Sequence, residues 1–226
     1  MAGETDARDD LFGIWIGIWD VLAAFALLAA SFLMVRMEAI PHMLSAAADK
    51  GYFTGKALLL DSYRHGYGFE VARDHLRALG DDGRAYYGYS FLPIYDLANS
   101  LFLLTFSVLF ILYATQSAKG HALAFSPLAR KAMLVAPVVQ FLCDVGENFA
   151  LRNLLDAYPR INVKLVETAS QLTQLKWLAI FATTLILVGL AVFTLYRMLA
   201  PVSQGGGGGE RENGKEEAIH RETLRA

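Results

Sequence analysis

The amino-acid sequence predicts an all-α fold: a four-helix transmembrane bundle with an interfacial amphipathic helix in the first loop. Three observations predict it. Of the 226 residues, 55% are apolar and only 19% are charged, against roughly 25% charged in an ordinary soluble domain. Four apolar stretches, at about 11–35, 91–115, 132–155 and 173–199, hold 101 residues but only seven of the 42 charges. Each reaches the roughly 20 residues that, at about 1.5 Å apiece, cross a hydrocarbon core of about 30 Å. A charge-poor chain spliced to a charge-rich one excludes both a single soluble domain and a disordered polymer.

The first stretch, Leu11 to Val35, carries only Asp20. Its length and the acidic flank (Glu4, Asp6, Asp9 and Asp10 against Arg8) speak against a secretory signal, which needs a basic flank and a short apolar centre. Asp20 is expected to hydrogen-bond a neighbouring helix or to touch the deep end of a polar pocket. The third stretch is the most polar, with Asp144, Glu147 and Arg152 inside it. In the fourth, Lys176 and Arg197 lie near the ends, where long stems reach the headgroups.

Four spans put both termini on one side, with the loop at 116–131. Lysine and arginine counts of nine on that side and eleven on the other leave orientation undecided, although Arg130, Lys131 and Arg197 lean toward cytoplasmic termini. The loop at 36–90 is too long for a plain connection. Phe69, Ala72, Leu76 and Leu79 recur at helical spacing before Gly80, predicting an amphipathic helix at the interface or over the bundle. Seven of the ten tyrosines, Tyr52 to Tyr95, cluster in or beside this loop and read as an aromatic belt. Residues 1–202 form the bundle, and 203–226, with Gly205 to Gly209 and a charged run, read as a flexible tail.

Charged and amide side chains inside spans face protein and mark functional paths. Asp96 and Asn99 sit near the start of the second span. In the third, Gln140, Asp144, Asn148 and Arg152 follow at four-residue spacing with Glu147 beside them, on one helix stripe. Counting depth places Asp96, Asn99, Asp144, Glu147, Asn148, Arg152 and Lys176 in one half of the bilayer. Three acids then face two bases. In a low dielectric the surplus acid keeps a proton and can donate it.

The strings LGDDGRAYYGYSFLPIYDLANSLF (79–102), FLCDVGENFALRNLL (141–155) and ASQLTQLKWL (169–178) resemble the recurring blocks of an uncharacterised family of small four-span integral membrane proteins. These are a Leu-Gly-x-x-Gly-Arg turn, an Asp-x-x-Glu-Asn span and a Leu-Thr-x-Leu-Lys-Trp block. The resemblance covers about 80–180 and implies that Arg84, Asp96, Asp144, Glu147, Asn148, Lys176 and Trp177 form a shared set. It implies no activity. The family's proline after the aspartate of the second span is missing here, and Pro93 precedes Asp96 instead.

Several chemistries find no support in the sequence. No histidine lies in a span for haem ligation, no His/Cys cluster suits zinc, no phosphate loop is present, and a net charge of −2 offers nucleic acid no basic patch. The lone Cys143 excludes a disulfide within one chain. No cofactor is expected, and the expected partners are the lipid bilayer and a possible homo-oligomer. Whether the chain is an enzyme stays open between three readings. The polar cluster is structural glue in an assembly factor; or it is an intramembrane acid–base enzyme acting on a lipid or isoprenoid, with Glu147 or Asp144 as proton donor, Asp96 as base and Arg152 or Lys176 holding an anionic headgroup; or it relays protons or ions in an oligomeric transporter.

Overall fold

The computed structural model describes residues 16–53, 59–115 and 125–199. The acidic flank at 1–10, residues 11–15 of the first stretch and the tail at 203–226 lie outside them. The described chain is helical with no strand, and four helices are long and apolar enough to cross a membrane: Ile18–Ala46, Phe69–Thr115, Pro127–Ala157 and Val163–Leu199. The all-α four-helix bundle is thus the observed architecture. Among the described residues, those up to Ala191 belong to one compact unit and Val192–Leu199 to a second.

The first transmembrane helix consists of α1 (Ile18–Met34), a π-helical segment (Val35–Ala39) and α2 (Ile40–Ala46). Asp20 is exposed in the first turn of α1, where its carboxylate accepts the Gly17 N–H at 2.8 Å. It caps the helix start and neither enters a pocket nor bonds a neighbouring helix. An acidic side chain among unsatisfied N–H groups is favoured there by hydrogen bonding and by the helix dipole.

The second is α3 (Phe69–Tyr86), a π-helical segment (Tyr87–Asp96) and α4 (Leu97–Thr115). Both π-helical segments lie at a proline: Pro41 follows the first, and Pro93 lies within the second. Proline lacks an N–H and its ring crowds the carbonyl four residues back, so the local ladder widens to five-residue bonds. The predicted amphipathic helix is present, burying Ala72, Leu76 and Leu79. It does not stop at Gly80, however. Gly80 takes φ 67° and ψ −176°, and the helix resumes at once into the second span. Arg84 stabilises this break by donating to the Leu76 carbonyl at 2.7 Å and pairing with Asp81, while its guanidinium lies 4.1 Å from the Tyr158 ring centre.

The third and fourth are α5 (Pro127–Ala157), capped by Ser126, and α6 (Val163–Leu199), whose second residue donates its N–H to Asn162 Oδ1 at 2.8 Å. Residues 156–172, which separate the third and fourth apolar stretches, are therefore mostly helix. Val166, Ala169, Ser170 and Thr173 form a buried stripe along it, which the charges of Lys164 and Glu167 disguise in an average hydropathy.

α4 packs against α1 and α5. The larger core cluster lies at the end where the first loop folds over the helices, joining Met43, Leu60, Leu76, Tyr87, Leu154 and Val166. Phe25, Phe32, Leu142, Phe149, Phe181 and Leu185 are exposed, an apolar belt of the kind that contacts lipid. α5 has the most buried span, 39% of its apolar window against 17–22% in the others, because its polar residues face inward.

Gly80→Ala is expected to lower stability by about 1–3 kcal/mol, because that backbone region suits only glycine and a Cβ there would lie 2.6 Å from the Ala48 Cβ. Thermal unfolding in detergent measures it, and an unchanged midpoint would contradict the strained break.

Candidate functional site

The site is built around one ammonium. Lys176, in the second turn after the buried Ser170 and Thr173 of α6, is 5% exposed. Its Nζ lies 2.5 Å from Glu147 Oε2, 3.0 Å from Asp144 Oδ1 and 3.5 Å from Asp61 Oδ2. Three carboxylates from two segments of the chain thus converge on a single cation. The second oxygens of Glu147 and Asp144 are held in turn, whereas Asp61 Oδ1 is buried with no hydrogen-bond partner. Thr173 Oγ1 donates to Glu147 Oε1, and Ser100 Oγ of α4 donates to Asp144 Oδ2 at 2.5 Å. Charges withdrawn from water persist only when paired and hydrogen-bonded in this way.

Asp61 was not expected at the site. It sits in a short 3₁₀ turn, Leu60–Ser62, buried although it belongs to the first loop. Its backbone carbonyl accepts the Trp177 indole N–H at 2.9 Å, and the Arg64 guanidinium lies 4.7 Å from the centre of the Trp177 ring. Six residues on, the Tyr67 N–H donates to Ser170 Oγ at 2.9 Å. Gly66 makes that approach possible. Its φ is +76°, and a Cβ there would lie 2.4 Å from both Ser170 Oγ and Gln174 Nε2. Burial, and then the Glu147 carboxylate, push the Tyr67 hydroxyl well above its ordinary value, so it stays protonated beside Thr173. The loop is therefore latched to α6 by a side chain, a carbonyl and an N–H. The signal in the sequence is the lone acid within the LLLDSY run, 58–63.

The predicted polar stripe of α5 divides. Each four-residue step turns about 40° around a helix of 3.6 residues per turn, so Gln140 to Arg152 spans a third of the circumference. Asp144 and Glu147 face Lys176. Asn148 and Arg152 turn instead toward the π-helical segment of the second span, where they line a groove of ≈ 200 Å³ with Gly88, Leu92, Pro93 and Leu97. Arg152 does not reach the acids, since its guanidinium lies 4.5 Å from the Tyr89 ring centre and Tyr89 donates to Asp156 at 3.0 Å.

Asp96 and Asn99 come near the cluster without joining its hydrogen bonds. Asn148 lies beside Asp96, and Asp96 feels Asp144, Asp61 and Lys176 electrostatically. Asn99 Oδ1 is buried with no hydrogen-bond partner, and the Asn148 amide meets the Asp96 carboxyl. Three carboxyl groups thus contact the ammonium, and Asp96 acts on it through space. The described residues hold no group of three or more His, Cys, Asp or Glu arranged to bind a metal ion. The arrangement can fix helices together, and it can hold or exchange protons among closely spaced carboxyl groups.

No protein-family model, curated protein or solved structure matches the chain.

Lys176→Met is expected to cost about 3–5 kcal/mol, because it strands three buried carboxylates. Arg152→Gln, remote from the cluster, is expected to cost under about 1 kcal/mol. Chemical unfolding of the two variants in the same detergent compares them, and equal stabilities would remove Lys176 from its central place.

Proposed function

We propose that this chain is a structural or assembly component of a membrane, crossing it four times with both ends on one side, and that its intramembrane charges serve chiefly to hold the fold. The observation that carries this reading is the Lys176 knot. One ammonium is bonded to Asp61, Asp144 and Glu147, and the oxygens of Glu147 and Asp144 are further engaged by Thr173 and Ser100. Such closed pairing leaves these groups little freedom to meet a substrate. It unites α4, α5, α6 and the first loop.

The reading is tested by neutralising the whole knot. A quadruple variant, Lys176→Met with Asp61→Asn, Asp144→Asn and Glu147→Gln, removes the cation together with its three anions and is expected to recover the melting temperature that Lys176→Met alone loses, since uncharged buried replacements are often neutral or stabilising. A quadruple variant as unstable as the single one would contradict it.

One observation favours a second reading, an intramembrane acid–base enzyme acting on a lipid. Asn99 keeps a buried, unpaired side-chain oxygen, and Asn148, which meets the Asp96 carboxyl, also lines the groove. A purely structural cluster rarely tolerates such orphans, each of which costs about 1–3 kcal/mol. Here Asp96, which precedes the groove residue Leu97 and meets Asn148, is the acid–base group. Asp96→Asn is expected to leave the protein folded and to abolish the change in membrane lipid composition that the wild-type chain produces on expression. Identical lipid profiles for wild type, variant and empty membrane would dismiss the enzyme.

A further inference from the structure

We infer that the groove between the π-helical segment of the second span and α5 binds an anionic phospholipid, with the phosphate at Arg152 and one acyl chain along the apolar wall. Three features of the groove point to this ligand. Its wall is made by Leu92, Pro93, Leu97, Val145 and Phe149, and Ile94, Leu97, Val145 and Phe149 are exposed on the apolar belt. A groove set in that belt is reached from within the bilayer.

The second feature is charge. Arg152 makes no ion pair among the described residues, and its guanidinium lies over the face of Tyr89. The nearby anion, Asp156, is exposed, and one of its oxygens is occupied by the Tyr89 hydroxyl. Stacking on an aromatic face leaves the in-plane N–H groups of a guanidinium free, and these match a phosphate in two-point hydrogen bonding. Lys176, by contrast, is fully committed to carboxylates.

The third is the order of chemistry along α5. Arg152 lies five residues from the helix end at Ala157, roughly 7–8 Å along the axis, and Val145 lies about 10 Å deeper. Asn148 is between them and lines the groove with its amide. Charge, amide and hydrocarbon therefore succeed one another from the membrane surface inward, which is the order of phosphate, ester and acyl chain in a phospholipid. The ≈ 200 Å³ volume is below the roughly 300–1,000 Å³ of pockets that enclose a whole small molecule. The groove thus takes a stretch of one chain, while the rest of the lipid stays in the bilayer.

This inference requires the spans but neither role of the Lys176 knot, because a lipid bound here serves equally as a structural lipid or as a substrate. Native mass spectrometry of the purified full-length chain, exchanged into detergent with equal phosphatidylglycerol and phosphatidylcholine, tests it. Wild type is expected to retain phosphatidylglycerol about fivefold over phosphatidylcholine, with Arg152→Lys keeping much of that preference and Arg152→Gln losing it. Val145→Trp, which fills the groove, is expected to reduce retention of both lipids. An unchanged preference in Arg152→Gln, or undiminished retention in Val145→Trp, overturns the inference. So does equal retention of the two lipids by wild type.

Discussion

The ammonium of Lys176 is the constraint on which the other features depend. A lysine buried in a bundle without water would lose its charge or expel its helix unless anions met it there. Glu147 and Asp144 meet it from α5, one turn apart, and Asp61 meets it from the loop. Fixing that one atom fixes the rotation of α5 and α6 about their axes, because both acids must point at the same place. It also decides where the loop goes. With Asp61 drawn down, its carbonyl falls on the Trp177 indole and Tyr67 on Ser170.

The same constraint explains why the larger apolar core gathers under the loop. Within the bilayer, lipid tails are as apolar as leucine, so burying leucine against leucine gains little. Where the chain leaves the hydrocarbon, water restores the hydrophobic effect. Met43, Phe53, Leu60, Leu76 and Leu79 accordingly collapse onto Leu151, Leu154 and Val166. The ionic knot and this core reinforce each other, since the core shields the charges from water and the knot holds the core's lid in register.

Much of this was legible in the sequence, for a physical reason in each case. Hydrocarbon admits so few polar groups that the four spans and the convergence of Asp144, Glu147 and Lys176 could be counted from residue numbers alone. The amphipathic helix from Phe69 showed through its apolar period. Asp61 did not, because its closeness to Lys176 arises from the fold of a long loop and no local period encodes it. Arg152 looked like a partner for the acids because a four-residue stripe reads as straight. Its gradual rotation around the helix carries Arg152 to Tyr89 instead. Gly80 read as the end of a helix, yet it allows a close contact with a distant segment at Ala48, as Gly66 does at Ser170.

By this geometry the Lys176 ammonium holds the first loop on the bundle. Hydrogen–deuterium exchange of residues 59–67 in Lys176→Met, compared with wild type in the same lipid nanodiscs, tests it most directly. Loss of protection across Leu60–Ser62 and at the Tyr67 N–H, with α1 and α4 still protected, is the predicted result. Unchanged protection of the loop in a folded variant would contradict the claim, because the loop would then be held by its apolar core alone.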